Sequence, residues 1–372
     1  MKLVVISSAP FIYKKGIVYA YSPYVNELLI WQKHTDSIVF CCPTWRNDNG
    51  LLITEVPFKI KKQFVLLDFN LKTLASSCAA FFNSFYNLFV LYKVMQQADH
   101  IHLRCPGNIG LLASMVQLLF PATPKTAKYA GNWDPKSQQP WTYRLQKWLI
   151  SNPFLTRNIQ VLVYGEWEGS SKNIKPFFTA TYTEADKTPV LPRNWSTTIQ
   201  FVFAGTLVKG KNPLYAIQLV EALHQKGHDV QLTLYGEGVL RTILEEYVAA
   251  QQLQDVVRLA GNQTKETVQK AYQESHFVLL PSDSEGWPKV IAEGMFWGCI
   301  PLSTAVSCVP YMLDYGQRGV LLDKKLFHDS QQLIALLQSP TRLALVQESA
   351  TSWSRRYTMD VFETEIKKIL QP

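Results

Sequence analysis

The sequence predicts an α/β protein made of two doubly wound domains, each a mostly parallel sheet layered with helices. Three observations carry this. Short β-branched runs alternate with stretches of helical periodicity along most of the chain, the pattern of strand–helix–strand units. The alternation pauses in the proline-bearing polar stretch ADKTPVLPRNWSTT and then restarts, which reads as a linker between domains. The 372 residues suffice for two cores at roughly 100–200 residues per domain. A hydrophobic content of 47% excludes a disordered chain, and no period of about 20–50 residues points to a solenoid.

In the first half, β-branched or apolar runs predict strands at Leu3–Ile6, Ser37–Cys41, Val65–Leu67, His100–Leu103, Ala127–Ala130 and Gln160–Tyr164. Helical spacing fills the gaps at Tyr24–Lys33, Leu71–Gln97, Gly110–Leu119 and Trp141–Ser151. The same grammar returns after the linker. Strands are expected at Gln200–Ala204, Gln231–Tyr235, Val257–Ala260, Phe277–Leu280 and Ile300–Ser303. Helices are expected at Pro213–Gln225, Val239–Gln251, Lys265–Gln273 and Pro288–Trp297. Ligands of open α/β sheets bind at the carboxyl ends of the strands, so a cleft between two such domains is the expected site.

Charge is uneven. The net charge is +8, but residues 1–195 hold 21 basic against 11 acidic side chains, and residues 196–372 hold 16 against 18. A basic first half suits an anionic partner such as a lipid surface or a phosphorylated carrier. No nucleic-acid-binding signature accompanies the charge, so no nucleic-acid partner is expected. The six cysteines form no CxxC pair, which reads as reduced thiols in a cytoplasm. The apolar run of four residues after Lys2 is too short for a signal peptide. The long apolar region Leu71–Met95 is broken by Lys72, Asn83, Asn87 and Lys93, so it reads as a buried or membrane-apposed helix rather than a span.

The most informative stretch is FVLLPSDSEGWPKVIAEGMFWGCIPLS, residues 277–303. A buried strand ends at Pro281–Ser282, a polar loop follows, Pro288 stands where a helix starts and Gly298 where it stops. Such a loop delivers a ligand onto a helix N-terminus, where free N–H groups favour an anion such as phosphate. The segment resembles the E-x7-E region of retaining GT-B glycosyltransferases of family 4, the group 1 transferases. Pro281, Ser282, Glu285, Gly286, Trp287, Pro288, Val290, Glu293, Gly298 and Pro301 match that pattern, and Gly294 replaces its usual alanine. Upstream, FVFAGTLVKGKNPLYAIQLVEAL is similar to the family's G-R-L-x-x-x-K-(G/N) loop: Gly205 and Lys211 match, Thr206 stands in place of arginine, and Lys209 is a second lysine nearby. Asn212 is expected to cap the helix beginning at Pro213. LYGEG, with Gly236 and Gly238, and RLAGN, with Gly261 and Asn262, resemble the turn and the base-side segment that follow in the family. In SCVPYML, Ser307, Cys308 and Tyr311 replace the family's two glycines and glutamate.

The resemblance implies a GT-B fold of two Rossmann-like domains facing a cleft. Residues 1–190 would bind the acceptor and residues 191–350 the nucleotide sugar, and a helix within 351–372 would pack back toward the first domain. It implies a nucleotide-diphospho-sugar as donor substrate, no required cofactor and no metal. Donor-side residues would be Gly205, Thr206, Lys209, Lys211, Gly236, Gly238, Gly261, Asn262, Glu285, Gly286, Trp287, Pro288, Lys289, Val290 and Glu293. Glu293 would take the ribose hydroxyls, Glu285 the donor sugar and Lys211 the diphosphate. The sequence Asp283-Ser-Glu285 has the look of a D-x-D metal motif, but its place before Gly-Trp-Pro favours the metal-free reading.

The first half matches the family more loosely. Lys14, Lys15 and Gly16 stand near the family's glycine-rich loop and suit a phosphate or an acidic sugar. Of His100 and His102, one is expected to point inward. Arg104 ends the same strand, Asn132, Trp133 and Asp134 follow the next one, and Glu166 and Glu168 follow a third. Asp134 is the candidate acceptor of a hydroxyl proton. The reading is a metal-independent hexosyltransferase acting on a glycan or lipid-linked acceptor, in polysaccharide or lipopolysaccharide synthesis. The protein would be cytoplasmic and peripheral at the inner face of the cell membrane. Lys59, Lys61, Lys62 and the aromatic Phe81–Tyr86 region suit an anionic bilayer. A nucleotide-sugar 2-epimerase of the same architecture and a catalytically weak assembly scaffold are the alternatives.

Overall fold

In the computed structural model, residues 1–69, 74–190 and 192–371 are described, with the side chains of 74–80 set aside. The expected helix residues Leu71, Lys72 and Thr73 and the linker residue Leu191 lie outside the described residues. The chain divides into one unit of Met1–Phe177 with Glu363–Pro372, and a second of Phe178–Phe362.

The first unit runs β1 (Lys2–Ile6), β2 (Phe11–Lys14), β3 (Ile17–Tyr21), α1 (Ser22–Lys33), β4 (Ser37–Cys42), β5 (Thr44–Trp45), β6 (Ile53–Glu55), β7 (Lys62–Val65), α2 (Leu74–Met95), β8 (His100–Cys105), α3 (Asn108–Val116), β9 (Lys125–Tyr129), α4 (Trp141–Ser151), β10 (Ile159–Tyr164) and β11 (Ile174–Phe177). Seven strands form one sheet in the order β11-β10-β9-β8-β1-β4-β7. Every pairing in it is parallel. Strand order therefore reverses between β1 and β8, as in a doubly wound sheet. Alternate residues Val4, Ile6, Val39, Cys41, Ile101, Leu103, Ala127, Val161 and Val163 form a core with Leu91, Val94 and Met95 of α2, Ile109, Ala113 and Val116 of α3, and Ile150 of α4. Those three helices thus cover one face of the sheet. Trp31 of α1 packs against His102 on the other, with ring centroids 4.2 Å apart.

The small sheet β5-β2-β3-β6 is absent from the sequence reading, as is β11. The edge strand β7 lies a few residues before the expected Val65–Leu67. β5, β6, β7 and β11 are two to four residues long and mostly outside the core, too short to give an apolar signal, whereas the apolar FIYK and IVYAY runs of β2 and β3 pair with each other as a hairpin.

The second unit holds β12 (Ile199–Ala204), α5 (Pro213–His224), β13 (Val230–Tyr235), α6 (Arg241–Ala250), β14 (Val257–Gly261), α7 (Lys265–Glu274), β15 (Phe277–Leu280), α8 (Lys289–Phe296), β16 (Ile300–Thr304), α9 (Val309–Met312), β17 (Val320–Leu322), α10 (Leu326–Leu337), α11 (Pro340–Ser354) and the start of α12 (Met359–Leu370). Its six strands are all parallel, in the order β14-β13-β12-β15-β16-β17. Here the order reverses between β12 and β15. The elements expected from Gln200 to Ser303 appear within two residues of their predicted ends. The linker stretch is laced onto this unit: Arg193 donates to the backbone carbonyls of Gln273, Tyr272 (3.1 Å) and Trp297 (2.8 Å), and Arg355 to that of Thr188 (2.7 Å).

Candidate functional site

The carboxyl ends of β12 and β15 flank the point where the strand order of the second sheet reverses, so the loops leaving them define the crevice of the fold. Both loops carry the residues singled out from sequence. Lys211 Nζ donates to Glu285 Oε1 at 2.5 Å, joining the loop after β12 to the loop after β15. The Glu285 side chain is 9% exposed and that of Lys211 is 30% exposed, so the lysine is the member that reaches solvent. Two more bonds stitch the loops together. Asp283 N donates to Gly210 O at 2.9 Å, and Asn212 Nδ2 donates to Pro281 O at 2.9 Å and to Asp283 Oδ1 at 2.8 Å.

That last contact corrects an expectation. Asn212 precedes Pro213 at the start of α5, but its side chain does not cap the helix. Its backbone is left-handed, with φ 49°, and the amide is spent on the neighbouring loop. Lys324 pairs with Asp283, and this bond, with the Asn212 amide, holds the Asp283 carboxyl below its usual range against the effect of burial. Lys209 and Thr206 are exposed.

Gly236 and Gly238 serve backbone approach. A Cβ on Gly236 would sit 2.0 Å from Gly205 O, and one on Gly238 would sit 2.4 Å from Leu207 O. Gly205 N donates to Tyr235 O, Leu207 N to Glu237 O and Gly236 N to Gly261 O, each at 2.9 Å. The loops after β12, β13 and β14 are therefore locked to one another through main chain. Asn262 lies exposed just beyond.

The loop bearing Glu285 is anchored on its other side. Trp287 is buried and stacks on Trp353 of α11 at 6.0 Å, with Tyr357 edge-on at 5.5 Å. Gly286 O accepts from Ser307 Oγ and Cys308 Sγ, both at 3.1 Å. The departures from the family pattern at 307 and 308 thus clamp the loop, a role that no spacing in the chain reveals. Tyr311, the third departure, packs edge-on to Trp353 at 6.0 Å.

Pro288 is the residue before α8 rather than its first, and Lys289 and Val290 open the helix. The helix closes as expected at Gly298, φ 89°, with Gly298 N bonded to Met295 O and Cys299 N to Gly294 O. Gly294 has a packing reason: a Cβ there would lie 2.5 Å from the Val278 side chain on β15. Glu293 Oε1 accepts from Thr181 Oγ1 at 2.6 Å, and Tyr272 OH approaches Oε2 at 3.5 Å. Thr179, Thr181, Tyr182, Trp287, Lys289 and Glu293 line a recess beside it. Neither Thr181 nor Tyr272 stands in a recognisable motif, so only the fold brings them to Glu293.

Among the described residues, one group of carboxylates and histidine could share a cation: Asp323, His328 and Asp329, with ligand atoms within 4.8 Å of one another. Asp329 is already engaged by Tyr215 OH and by the N–H groups of Asp323 and Lys324.

In the first unit the singled-out residues are drawn into local structure. Lys15 and Gly16 form the tip of the β2–β3 hairpin, with φ 49° and 82°, as a two-residue hairpin turn requires. Lys14 pairs with Asp48 at 2.9 Å. Arg104 Nη1 donates to Glu27 at 2.7 Å, Lys128 Nζ donates to the other Glu27 oxygen at 2.6 Å, and all three are largely buried. Asn132 Oδ1 accepts from Asp134 N and Asp134 Oδ1 from Lys136 N, which shapes the turn before α4. Trp133 is buried edge-on to Tyr129 at 4.9 Å. Glu166 and Glu168 are exposed. His100 and His102 are both buried and both bonded to Thr126 Oγ1, because residues two apart on a strand share a face. Burial pushes the His100 imidazole down to about 4.

Over 145 residues the chain is 28% identical to the amylovoran biosynthesis glycosyltransferase AmsK of Erwinia amylovora, covering 37% of this chain and 35% of that protein. Over 155 residues it is 28% identical to the putative colanic acid biosynthesis glycosyltransferase WcaL of Salmonella typhimurium, covering 39% and 36%. The chain thus spans little more than a third of the length of these two curated relatives. Among solved structures, the apo lipopolysaccharide outer core galactosyltransferase WaaB superposes with a TM-score of 0.72 at 14% identity, covering 100% of this chain and 99% of that one. Anabaena Alr3699/HepE in complex with UDP superposes at 0.67 and 14%, covering 100% of both. Two parallel sheets with these neighbours along the full length make the fold GT-B. Residues 192–351, which hold the Lys211 and Glu285 loops and Glu293, match the family model described as Glycosyl transferases group 1, so this segment of the chain carries that family's domain.

Proposed function

We propose that the chain is a retaining glycosyltransferase that moves a sugar from a nucleotide-diphospho-sugar to a hydroxyl of a glycan or lipid-linked acceptor. It would work in cell-surface polysaccharide or lipopolysaccharide synthesis, at the cytoplasmic face of the cell membrane. One observation carries the reading: Lys211 and Glu285, from two different loops, meet at the strand-order reversal of the second unit. Sugar transfer builds negative charge on the departing diphosphate and positive charge at the anomeric carbon. A partly exposed ammonium beside a carboxylate offers both counter-charges in one place. The N-termini of α5 and α8 add N–H groups and dipoles of the sign a diphosphate needs.

In this reading Lys211 neutralises the diphosphate, Glu285 faces the donor sugar and Glu293 takes the ribose hydroxyls. The loop lock at Gly205, Gly236 and Gly238 holds the loop that carries Lys211, so little reorganisation is needed there. The names of AmsK and WcaL support polysaccharide synthesis as the setting. HepE, solved with UDP, makes uridine diphosphate the first donor base to try.

The test is a panel of labelled nucleotide sugars with the purified protein, followed by calorimetry of UDP binding. Protein-dependent transfer or slow hydrolysis of one donor supports the reading. Glu293→Ala should weaken UDP binding roughly tenfold or more through loss of charge-assisted bonds to the ribose, with the thermal unfolding midpoint retained. A silent panel with no nucleotide bound would turn the reading toward a scaffold, and unchanged UDP binding by the variant would remove Glu293 from the site.

A further inference from the structure

The outer surface of the first unit's helix layer is apolar where a solvated surface is expected. On α2, Asn87, Leu91, Val94 and Met95 face the sheet, whereas Phe81, Phe82, Phe85, Tyr86, Phe89 and Tyr92 are exposed on the opposite side. Phe82 is 72% and Phe89 62% exposed. A helix packed on a sheet usually turns charged residues outward. This one turns out six aromatic rings with Lys93 among them.

The neighbouring helices continue the pattern. Tyr92 meets Phe120, just past α3, at 5.5 Å. Met115 and Leu119 are exposed at that end of α3. On α4, Trp141, Arg144 and Trp148 share the outward face at helical spacing, and Phe154 follows at 79% exposure. Because α2, α3 and α4 lie on the same face of the sheet, these side chains belong to one layer.

Charge identifies the occupant. None of the three helices contains an aspartate or glutamate, while Lys93 and Arg144 are exposed on them. Two copies meeting through this layer would set like charges against each other, which is unfavourable. An anionic bilayer supplies the opposite sign. It also takes up Phe, Tyr and Trp at the headgroup boundary, where a ring can bury its apolar body and keep its polar tip wet. No described helix is long and apolar enough to cross a membrane, so the contact lies in the plane of the interface.

We infer that the α2–α3–α4 layer is a docking face for an anionic lipid surface, with the Phe81–Phe89 aromatics and the α4 tryptophans entering the interface and Lys93 and Arg144 meeting lipid phosphates. This deepens the proposed function by naming the surface that would bring the chain to a lipid-linked acceptor. It rests on that reading only for its purpose, because vesicle binding and sugar transfer are measured separately and each can fail alone.

The experiment is co-sedimentation of the full chain with phosphatidylcholine vesicles, with and without phosphatidylglycerol, at low and high salt. Wild type should bind the phosphatidylglycerol vesicles and release partly as salt rises. Phe85→Glu with Phe89→Glu should lower the partition coefficient roughly tenfold or more, with circular dichroism and thermal midpoint unchanged, since both rings are solvent-exposed. Lys93→Glu with Arg144→Glu should remove mainly the salt-sensitive part. Absence of wild-type binding, equal binding by the Phe85/Phe89 variant, or a wild-type dimer that this variant dissolves without any vesicle binding would each overturn the inference.

Discussion

Lys211 and Glu285 can be separated by a perturbation whose sign is not the obvious one. Glu285 holds the lysine at 2.5 Å. In the proposed reading, a diphosphate arriving at Lys211 would therefore compete with a carboxylate already in place. Lys211→Met removes a charge-assisted bond to phosphate worth about 1.5–3 kcal/mol, so UDP affinity should fall about 10- to 150-fold. Glu285→Gln removes the competitor and one negative charge, so UDP affinity should hold or rise by up to about tenfold, even while sugar transfer collapses.

The folding cost is worked from the same pair. Because Glu285 is nearly buried and Lys211 about one-third exposed, their coupling lies between an exposed pair, at about 0.2–1 kcal/mol, and a buried one, at about 3–5 kcal/mol. A double-mutant cycle in urea should give about 1–2 kcal/mol. Calorimetry of UDP binding by the two single variants and the double variant decides the matter. Equal loss of UDP affinity in Lys211→Met and Glu285→Gln would mean that the bridge only shapes the loops, and would refute the competition argument.

Two further outcomes concern stability. Burial pushes the Glu27 carboxyl up, but Lys128 and Arg104 outweigh it and hold the group well below the usual carboxylate range. Its contribution is therefore present above about pH 4.5, the ordinary unfolded value, and lost as pH falls toward the lowered folded one. Glu27→Gln removes the carboxylate charge that Lys128 and Arg104 share and should cost the first unit about 3–5 kcal/mol at neutral pH, read by urea denaturation, with a flatter acid slope than wild type; a loss under about 1 kcal/mol would contradict the burial argument. Gly238→Ala forces a Cβ against Leu207 O and should cost about 2–3 kcal/mol with loss of UDP binding; unchanged calorimetry would show that the loop lock can relax.

Much of the second unit was legible because its strands are short and rich in apolar residues and the turns at the ends of β12, β13, β14 and β15 carry a glycine or proline. The β15–α8 segment is the clearest case. Its strand is buried throughout, and Gly298 stops its helix as expected. What escaped was tertiary. Asn212 has the residue type and place of a cap, but the loop after β15 lies within reach of its amide and takes it. Thr181, Tyr272, Ser307 and Cys308 reach Glu293 or Gly286 from distant parts of the chain, and no spacing rule reports that. In the first unit, Arg104 stands at a strand end in the sequence, yet Glu27, far away along the chain, claims it. The strands Phe11–Lys14 and Ile17–Tyr21 are short and show no alternation of buried and exposed residues, so only Lys15-Gly16 between them, which suits a tight turn, points to their hairpin.

Thr206 gains a meaning from its neighbours. The flanking Gly205 and Leu207 are tied to Tyr235 and Glu237 through main-chain atoms alone, and the threonine side chain between them is free in solvent. The course of the loop is thus independent of what stands at 206. The side chain at this one address can therefore change without redrawing the backbone, and the architecture around it stays fixed.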